Sequence, residues 1–484
     1  MTARCVMVLG TSSGAGKSWL ATALCRWYAR QGLRVAPFKA QNMSNNARVV
    51  ATPEGGFGEI GSAQYFQALA ARAVPEVRMN PVLLKPERDD HSQLVLLGQV
   101  HAQLTAMPWR ERGALVWPVV RDALDALRAE NDVVVIEGAG SPAEINLQDS
   151  DIANLRVAAH AQAACLLVAD IDRGGAFAHL YGTWALLPQE QRSLLRGFVL
   201  NRFRGDPALL QPGPAQLQGL TGVPTVATLP MVWQHGLPEE DGVFDDRATA
   251  PGAVRLRVAV VAWPRISNLD EFQPLKNIPG LRLRWARTAA ELADADWIIL
   301  PGSKNTAADL QWLRAQGLAR AVVDHANAGR PVLGICGGLQ VLGEALVDLD
   351  DLAGNGPGLG LLPLVTQFAA TKTVRRTSVR FEPLEGAWAA LSGLCVQGYE
   401  IHTGHTAQHA GMAAGRVALP QGLGWANAQG NVLGVVLHGL FEDAGVLQAL
   451  FGAGAPTLDA VFDRLADVVD AHFDAGVLPG LIAC

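Results

Sequence analysis

The sequence has 484 residues, room for two or three domains of roughly 150 residues each. It is 49% hydrophobic, 17% charged and 6% aromatic, with a net charge of −6 and no long run of either sign. Compact α/β packing is favoured over an all-β fold, and bulk charge suggests neither a nucleic-acid groove nor an anionic membrane surface. The cysteines at 5, 25, 165, 336, 395 and 484 form no CxxC pair, so neither a zinc ribbon nor a disulfide framework is indicated, and a reducing cytoplasm is expected.

The apolar run 5–9 is too short for a signal-peptide core, and no apolar stretch approaches the ~18 residues of a membrane span. Runs 5–9, 133–136, 164–169 and 197–200 predict buried parallel strands, alternating with helical patterns such as 19–31 and 61–73. After the first strand comes GTSSGAGKS, opening a helix. Gly14 and Gly16 let backbone N–H groups approach phosphate oxygens, Lys17 can reach the β and γ phosphates, and Ser18 can ligate Mg²⁺. Thr11 stands where the usual P-loop glycine would be, with Gly10 one position earlier.

Lys39 closes a further short strand, where a lysine can neutralise charge on a transferring phosphoryl group. The polar run 41–46 follows, and Gln41, Asn42 and Asn45 are candidate substrate contacts; a solvated turn is the bland alternative. VVVIEGAG delivers Glu137 to the sheet edge as a candidate Mg²⁺ ligand, against a capping or turn-forming role. Asp170 and Asp172, in ADIDRGG, are candidate metal or substrate contacts, or caps. Asn201, ending another strand, is a candidate adenine contact.

The acidic, turn-rich stretch around 231–255 reads as a linker, with a boundary near residue 250. A second α/β series then predicts strands at 256–262, 297–300, 331–335 and 432–437. PVLGICGGLQ is a strand, a nucleophile and a helix start: the elbow exposes Cys336, the helix N-terminus favours thiolate, and the Gly337 N–H can hold an oxyanion. Gly302, after another strand, is the candidate second N–H donor. His438, at a strand end, is the candidate base; His402 and His405 are its rivals. A buried structural thiol is the alternative for Cys336. The tail from 447 is expected to be helical and to pack on the second domain.

These residues carry a resemblance. The second half is similar to class I glutamine amidotransferase domains, although Leu440 occupies the place where many members carry a triad glutamate. The GT-x5-GKS loop resembles the dethiobiotin synthetase-like branch of P-loop proteins. In order along the chain, GTSSGAGKS, KAQNMSNN, EIGSAQYFQ, MNPVLLKP, EGAGSPAEIN, DIDRGG, NRFRGD, LPEED, PGSKNT, Cys336, YEIHTG and His438 resemble the cobyric acid synthase family. The stretch 149–155 departs from that pattern, lacking the arginine that often precedes its Asp-Ile pair. Cobyrinate amidotransferases commonly lack the triad glutamate, and Glu442 is a candidate to orient His438 instead.

The resemblance implies a P-loop amidoligase domain at 1–235, a linker at 236–252, a flavodoxin-like amidotransferase domain at 253–445 and an extension at 446–484. It implies ATP and Mg²⁺, with glutamine and a corrinoid a,c-diamide as substrates, no nucleic-acid or membrane partner, and homo-oligomerisation left open. The implied reaction amidates the b, d, e and g carboxylates of adenosylcobyrinic acid a,c-diamide. Cobyrinic acid a,c-diamide synthase and a partition-type nucleotide switch are the competing readings.

Overall fold

The computed structural model describes residues 2–88, 91–233, 235–238, 253–349, 354–408, 411, 415–452, 454 and 456–483. The first series of apolar runs enters one six-stranded sheet, ordered Thr225–Pro230, Leu195–Phe203, Ala164–Asp170, Arg4–Gly10, Val133–Glu137, Val35–Phe38. Every pairing in it is parallel. Continuous apolar strands suit this position because both faces are covered. Met7, Leu9, Ile136 and Leu167 enter one core, while Val6, Val8, Val135 and Leu166 enter another with the helix Lys17–Arg30. Parallel strands finish on one edge, so Gly10, Glu137 and Asp170 arrive together there.

The strand Thr225–Pro230 was not expected from sequence, because TVATLP alternates too weakly to stand out. Also unforeseen is the antiparallel pair Val82–Arg88 and His91–Leu96.

The second domain carries a seven-stranded sheet ordered Leu281–Ala286, Leu256–Val261, Trp297–Leu300, Val332–Ile335, Val432–Val435, Gly424–Ala426, Arg416–Leu419. Its first five strands pair in parallel and the last two are antiparallel. A long ribbon, Leu364–Arg380 against Cys395–Gln408, crosses beside it. The expected linker falls largely on 239–252, outside the described residues.

The extension corrects the sequence reading. Ala444–Phe451 does join the second core through Val446 and Leu447. The helix Leu458–His472 instead packs on Lys17–Arg30 of the first domain, burying Val461, Phe462, Leu465 and Val469 against Leu20 and Leu24. Its acidic face meets the basic face of the first helix: Asp463 and Asp459 take Arg26 at 2.7 and 3.0 Å, and Asp470 takes the Trp27 indole at 2.8 Å. The sequence reading gave the helix but placed it on the second domain. Phe462→Ala is expected to cost about 3–5 kcal/mol, measured as a lower melting transition of the first domain.

Candidate active site

Two centres form, one on each sheet edge. In the first, Gly14 and Gly16 adopt φ of 73° and 100°, the left-handed region that glycine enters without a Cβ clash. A Cβ at Gly16 would lie 2.0 Å from the Asn201 amide nitrogen. Lys17 Nζ reaches across the loop to the carbonyls of Ser12 and Gly140, both at 3.0 Å. Glu137 is the hub: its Oε1 accepts from Ser18 Oγ at 2.8 Å and Lys39 Nζ at 2.7 Å, and its Oε2 from Gln67 Nε2 at 2.6 Å. Burial pushes the Glu137 carboxyl up, but Lys39 and the three hydrogen bonds outweigh it and hold it below its ordinary value.

Gln67 is a site residue the sequence reading did not single out, although its EIGSAQYFQ stretch was noted. Its Oε1 is buried without a hydrogen-bond partner. An orphaned acceptor beside a carboxylate and a hydroxyl is the setting a hard cation with phosphate ligands would complete. Among the described residues no cluster of three or more His, Cys, Asp or Glu side chains that could hold a metal ion occurs.

Other expected contacts land differently. Asp170 Oδ2 pairs with Arg202 at 2.8 Å and Arg173 at 3.4 Å, and its Oδ1 accepts from the Asp172 N–H. Both oxygens are engaged by protein donors, as are those of Glu137. Asn201 donates to the Ala15 carbonyl at 3.0 Å, bracing the phosphate loop. Asn42 is buried on Gln64 at 3.1 Å. Gln41 borders a small crevice with Arg112. Asn45 borders a cavity of about 670 Å³ with Met43, His91, Met107, Arg112 and Arg265, and its buried Oδ1 has no hydrogen-bond partner.

In the second centre, the strand Val332–Ile335 runs into Cys336, which holds φ 51° and ψ −105°. A non-glycine residue there stores about 1–3 kcal/mol of strain. The flanking glycines make the elbow possible: a Cβ on Gly338 would lie 1.9 Å from the Leu300 carbonyl oxygen, and one on Gly337 would lie 2.8 Å from the Ser303 nitrogen. Gly302 lies against the imidazole; its Cβ would sit 2.7 Å from His438 Cε1.

His438 is buried beside Cys336, whose thiol donates to the Ile401 carbonyl at 3.7 Å. Its Nδ1 meets Glu271 Oε1 at 3.0 Å, and Glu271 Oε2 accepts the Gly439 N–H at 3.0 Å. Glu271, not Glu442, therefore orients the imidazole; Glu442 is engaged by Arg48 instead. Its signal in the sequence is only the acidic pair in SNLDEF, just after the first strand of the second domain. Burial lowers the His438 pKa, but Glu271 and Cys336 overcome this and raise it to about 10. The rivals separate: His402 pairs with Glu400 at 3.2 Å, and His402 and His405 line a cavity of about 270 Å³ with Cys336, Gln340, Arg375 and Glu400.

Glu271→Gln is expected to lower glutamine hydrolysis about 10²- to 10⁴-fold and to drop the His438 pKa, read by imidazole NMR titration. A raised histidine pKa contributes stability that is full below its ordinary 6.5 and lost as pH rises through about 10. The stability gap between wild type and Glu271→Gln should therefore narrow across that window as pH rises.

The chain matches two family models: the CobQ/CobB/MinD/ParA nucleotide binding domain over residues 6–240 and the CobB/CobQ-like glutamine amidotransferase domain over 257–446. It is 74% identical over 484 residues to a cobyric acid synthase of Variovorax paradoxus (strain S110), covering all of both chains. A cobyric acid synthase of Polaromonas naphthalenivorans (strain CJ2) is 69% identical, again with full coverage of both. One of Leptothrix cholodnii is 64% identical over 99% of this chain and 97% of its own. Among solved structures, PurLQS from Thermotoga maritima aligns over 41% of this chain and 98% of its own at 19% identity, with a TM-score of 0.32, too low to carry an argument. Among the described residues no helix is long and apolar enough to cross a membrane.

Proposed function

The chain belongs to the cobyric acid synthase family, and on that premise we propose how its two centres divide one reaction. It is a glutamine-dependent carbon–nitrogen ligase of cobalamin biosynthesis, acting in the cytoplasm. Residues 1–235 activate carboxylates with ATP, and residues 253–445 supply ammonia. The substrate is adenosylcobyrinic acid a,c-diamide, amidated at its b, d, e and g carboxylates.

In the second domain His438 takes the Cys336 thiol proton as the sulfur attacks the glutamine carboxamide carbon. Negative charge gathers on the carboxamide oxygen, facing the N–H of Gly337, with Gly302 as the second donor. His438 gives its proton to the departing ammonia, leaving a γ-glutamyl thioester. The neutral imidazole then takes a proton from water, which attacks the thioester and releases glutamate. Arg375 and Glu400, beside Cys336, match the carboxylate and ammonium ends of glutamine.

In the first domain Gly14, Gly16 and Lys17 cradle the ATP phosphates. Ser18 and Glu137 would hold Mg²⁺, with Gln67 beside them. A bound Mg²⁺ neutralises charge on the β and γ phosphates. Lys39 stabilises the phosphoryl group as it moves to the substrate carboxylate oxygen, giving an acyl phosphate and ADP. Ammonia attacks the acyl carbon, the C–O bond to phosphate breaks, and the amide forms after loss of a proton. Activation is needed because a carboxylate is a poor electrophile. The cavity bordered by Asn45 is the candidate surface for the corrinoid.

The carrying observation is the pairing of two complete devices in one chain: a phosphate loop locked to Glu137, and a strained cysteine on a His438–Glu271 pair. The test separates them by substitution, measuring amidation from glutamine and from added ammonia in parallel.

A further inference from the structure

Glu271 sits on the short turn Leu269–Phe272, preceded by Asn268 at φ 54°, and the turn's Leu269 and Phe272 enter the core of the second domain. The polar groups beside Glu271 on that turn are met from the other domain. The Leu269 N–H donates to Asn46 Oδ1 at 2.9 Å, and Asn268 Oδ1 accepts the Ala47 N–H at 3.1 Å. Arg48 lies fully buried on the strand Ala47–Ala51, and its guanidinium forks between two carboxylates, Asp270 and Glu442. Asp270 is the neighbour of Glu271. Glu442 ends the turn after Gly439, whose N–H binds Glu271.

The same guanidinium lies 5.2 Å from the centre of the Tyr399 ring. Tyr399 stacks on His438, with centroids 5.5 Å apart and planes at 23°. The two also exchange main-chain hydrogen bonds at 3.2 and 2.9 Å. Arg48 therefore touches, from the nucleotide-binding domain, the neighbours of both Glu271 and His438. A planar fork fixes the spacing of two carboxylates in a way a single point charge does not.

We propose that Arg48, with Asn46, is a positioning residue of the glutaminase supplied by the nucleotide-binding domain, so that Glu271 and His438 align only while the two domains are docked. The segment also begins at Lys39, which is bound to Glu137, so one stretch of chain joins the phosphate site to the imidazole. The inference rests on reading Cys336 and His438 as a glutaminase.

The test uses the full chain and compares wild type, Arg48→Met, Arg48→Lys and Asn46→Ala. Glutamate release is measured against glutamine concentration, alongside amidation driven by added ammonia. Arg48→Met should lower kcat for glutamine hydrolysis about 100-fold, the scale of a 1 Å misplacement. The glutamine KM should stay within about threefold, and ammonia-driven amidation should persist. Arg48→Lys should restore part of kcat, and Asn46→Ala should lose about tenfold without leaving a buried charge unpaired. Glutaminase kcat within about twofold of wild type in Arg48→Met overturns the proposal. So does parallel loss of both activities in Arg48→Met with Asn46→Ala unchanged, because that marks general disruption. A wild-type chain that releases no glutamate overturns the glutaminase reading as well, and the wild-type arm alone identifies that failure.

Discussion

Cys336→Ala is expected to cut glutamine-dependent amidation by at least about 10⁴-fold while amidation from an added ammonium salt proceeds. The sulfur forms the covalent bond to the carboxamide carbon, and no other group replaces it. The described neighbours of Cys336 in its cavity, Gln340, His402 and Glu400 among them, include no second thiol. The cut should fall on kcat, since the cavity that receives glutamine keeps its other walls. The variant should also lower the His438 pKa, because Cys336 is one of the two groups that raise it. Relief of strain at φ 51° is not expected, as alanine meets the same Cβ clash. Parallel loss of ammonia-driven amidation in a folded variant would contradict the separation of the centres.

Lys17→Met is expected to do the reverse. Amidation from either nitrogen source should fall by about 10²- to 10³-fold or more, while glutamate release from glutamine persists. Lys17 Nζ is held by two carbonyls over the phosphate loop, poised where the β and γ phosphates must lie. Methionine keeps the stem and removes the charge, so Lys39 and a bound Mg²⁺ would be left to offset the negative charge gathering on the transferring phosphoryl group without it. The readout is ADP formation with ammonia at saturation, with glutamate release as the control for folding. Normal ADP formation would move nucleotide chemistry away from this loop.

Much of this was readable along the chain because its signals are local. Gly10 to Ser18 and Ile335 to Gly338 each combine a strand end, a tight turn and a helix start within one stretch, so spacing alone displays them. His438 was legible as a histidine at a strand end. Glu271 was not, since it approaches His438 through folding rather than sequence, from a turn with no periodicity. Glu442 seemed the nearer acid by position, yet Arg48 claims it. Arg48 itself lies two residues beyond KAQNMSNN and in no motif that spacing displays. Gln67 lay within a helical pattern that reads as packing. The terminal helix announced an apolar face at Val461 and Leu465, but the surface it covers depends on the complementary charges of Arg26 and Asp463. The ribbon 364–408 stayed hidden because TKTVRRTSVR is too polar to register as a buried strand.

The most direct test of the two-centre account feeds the purified enzyme ATP, Mg²⁺, adenosylcobyrinic acid a,c-diamide and glutamine labelled with ¹⁵N at its amide, and counts label in the corrinoid by mass spectrometry. The account predicts four labelled amides, none without ATP, and none from labelled glutamine in Cys336→Ala. Failure to label the a,c-diamide, with label appearing only on cobyrinic acid at two positions, would contradict it, as would ATP hydrolysis indifferent to glutamine and ammonia.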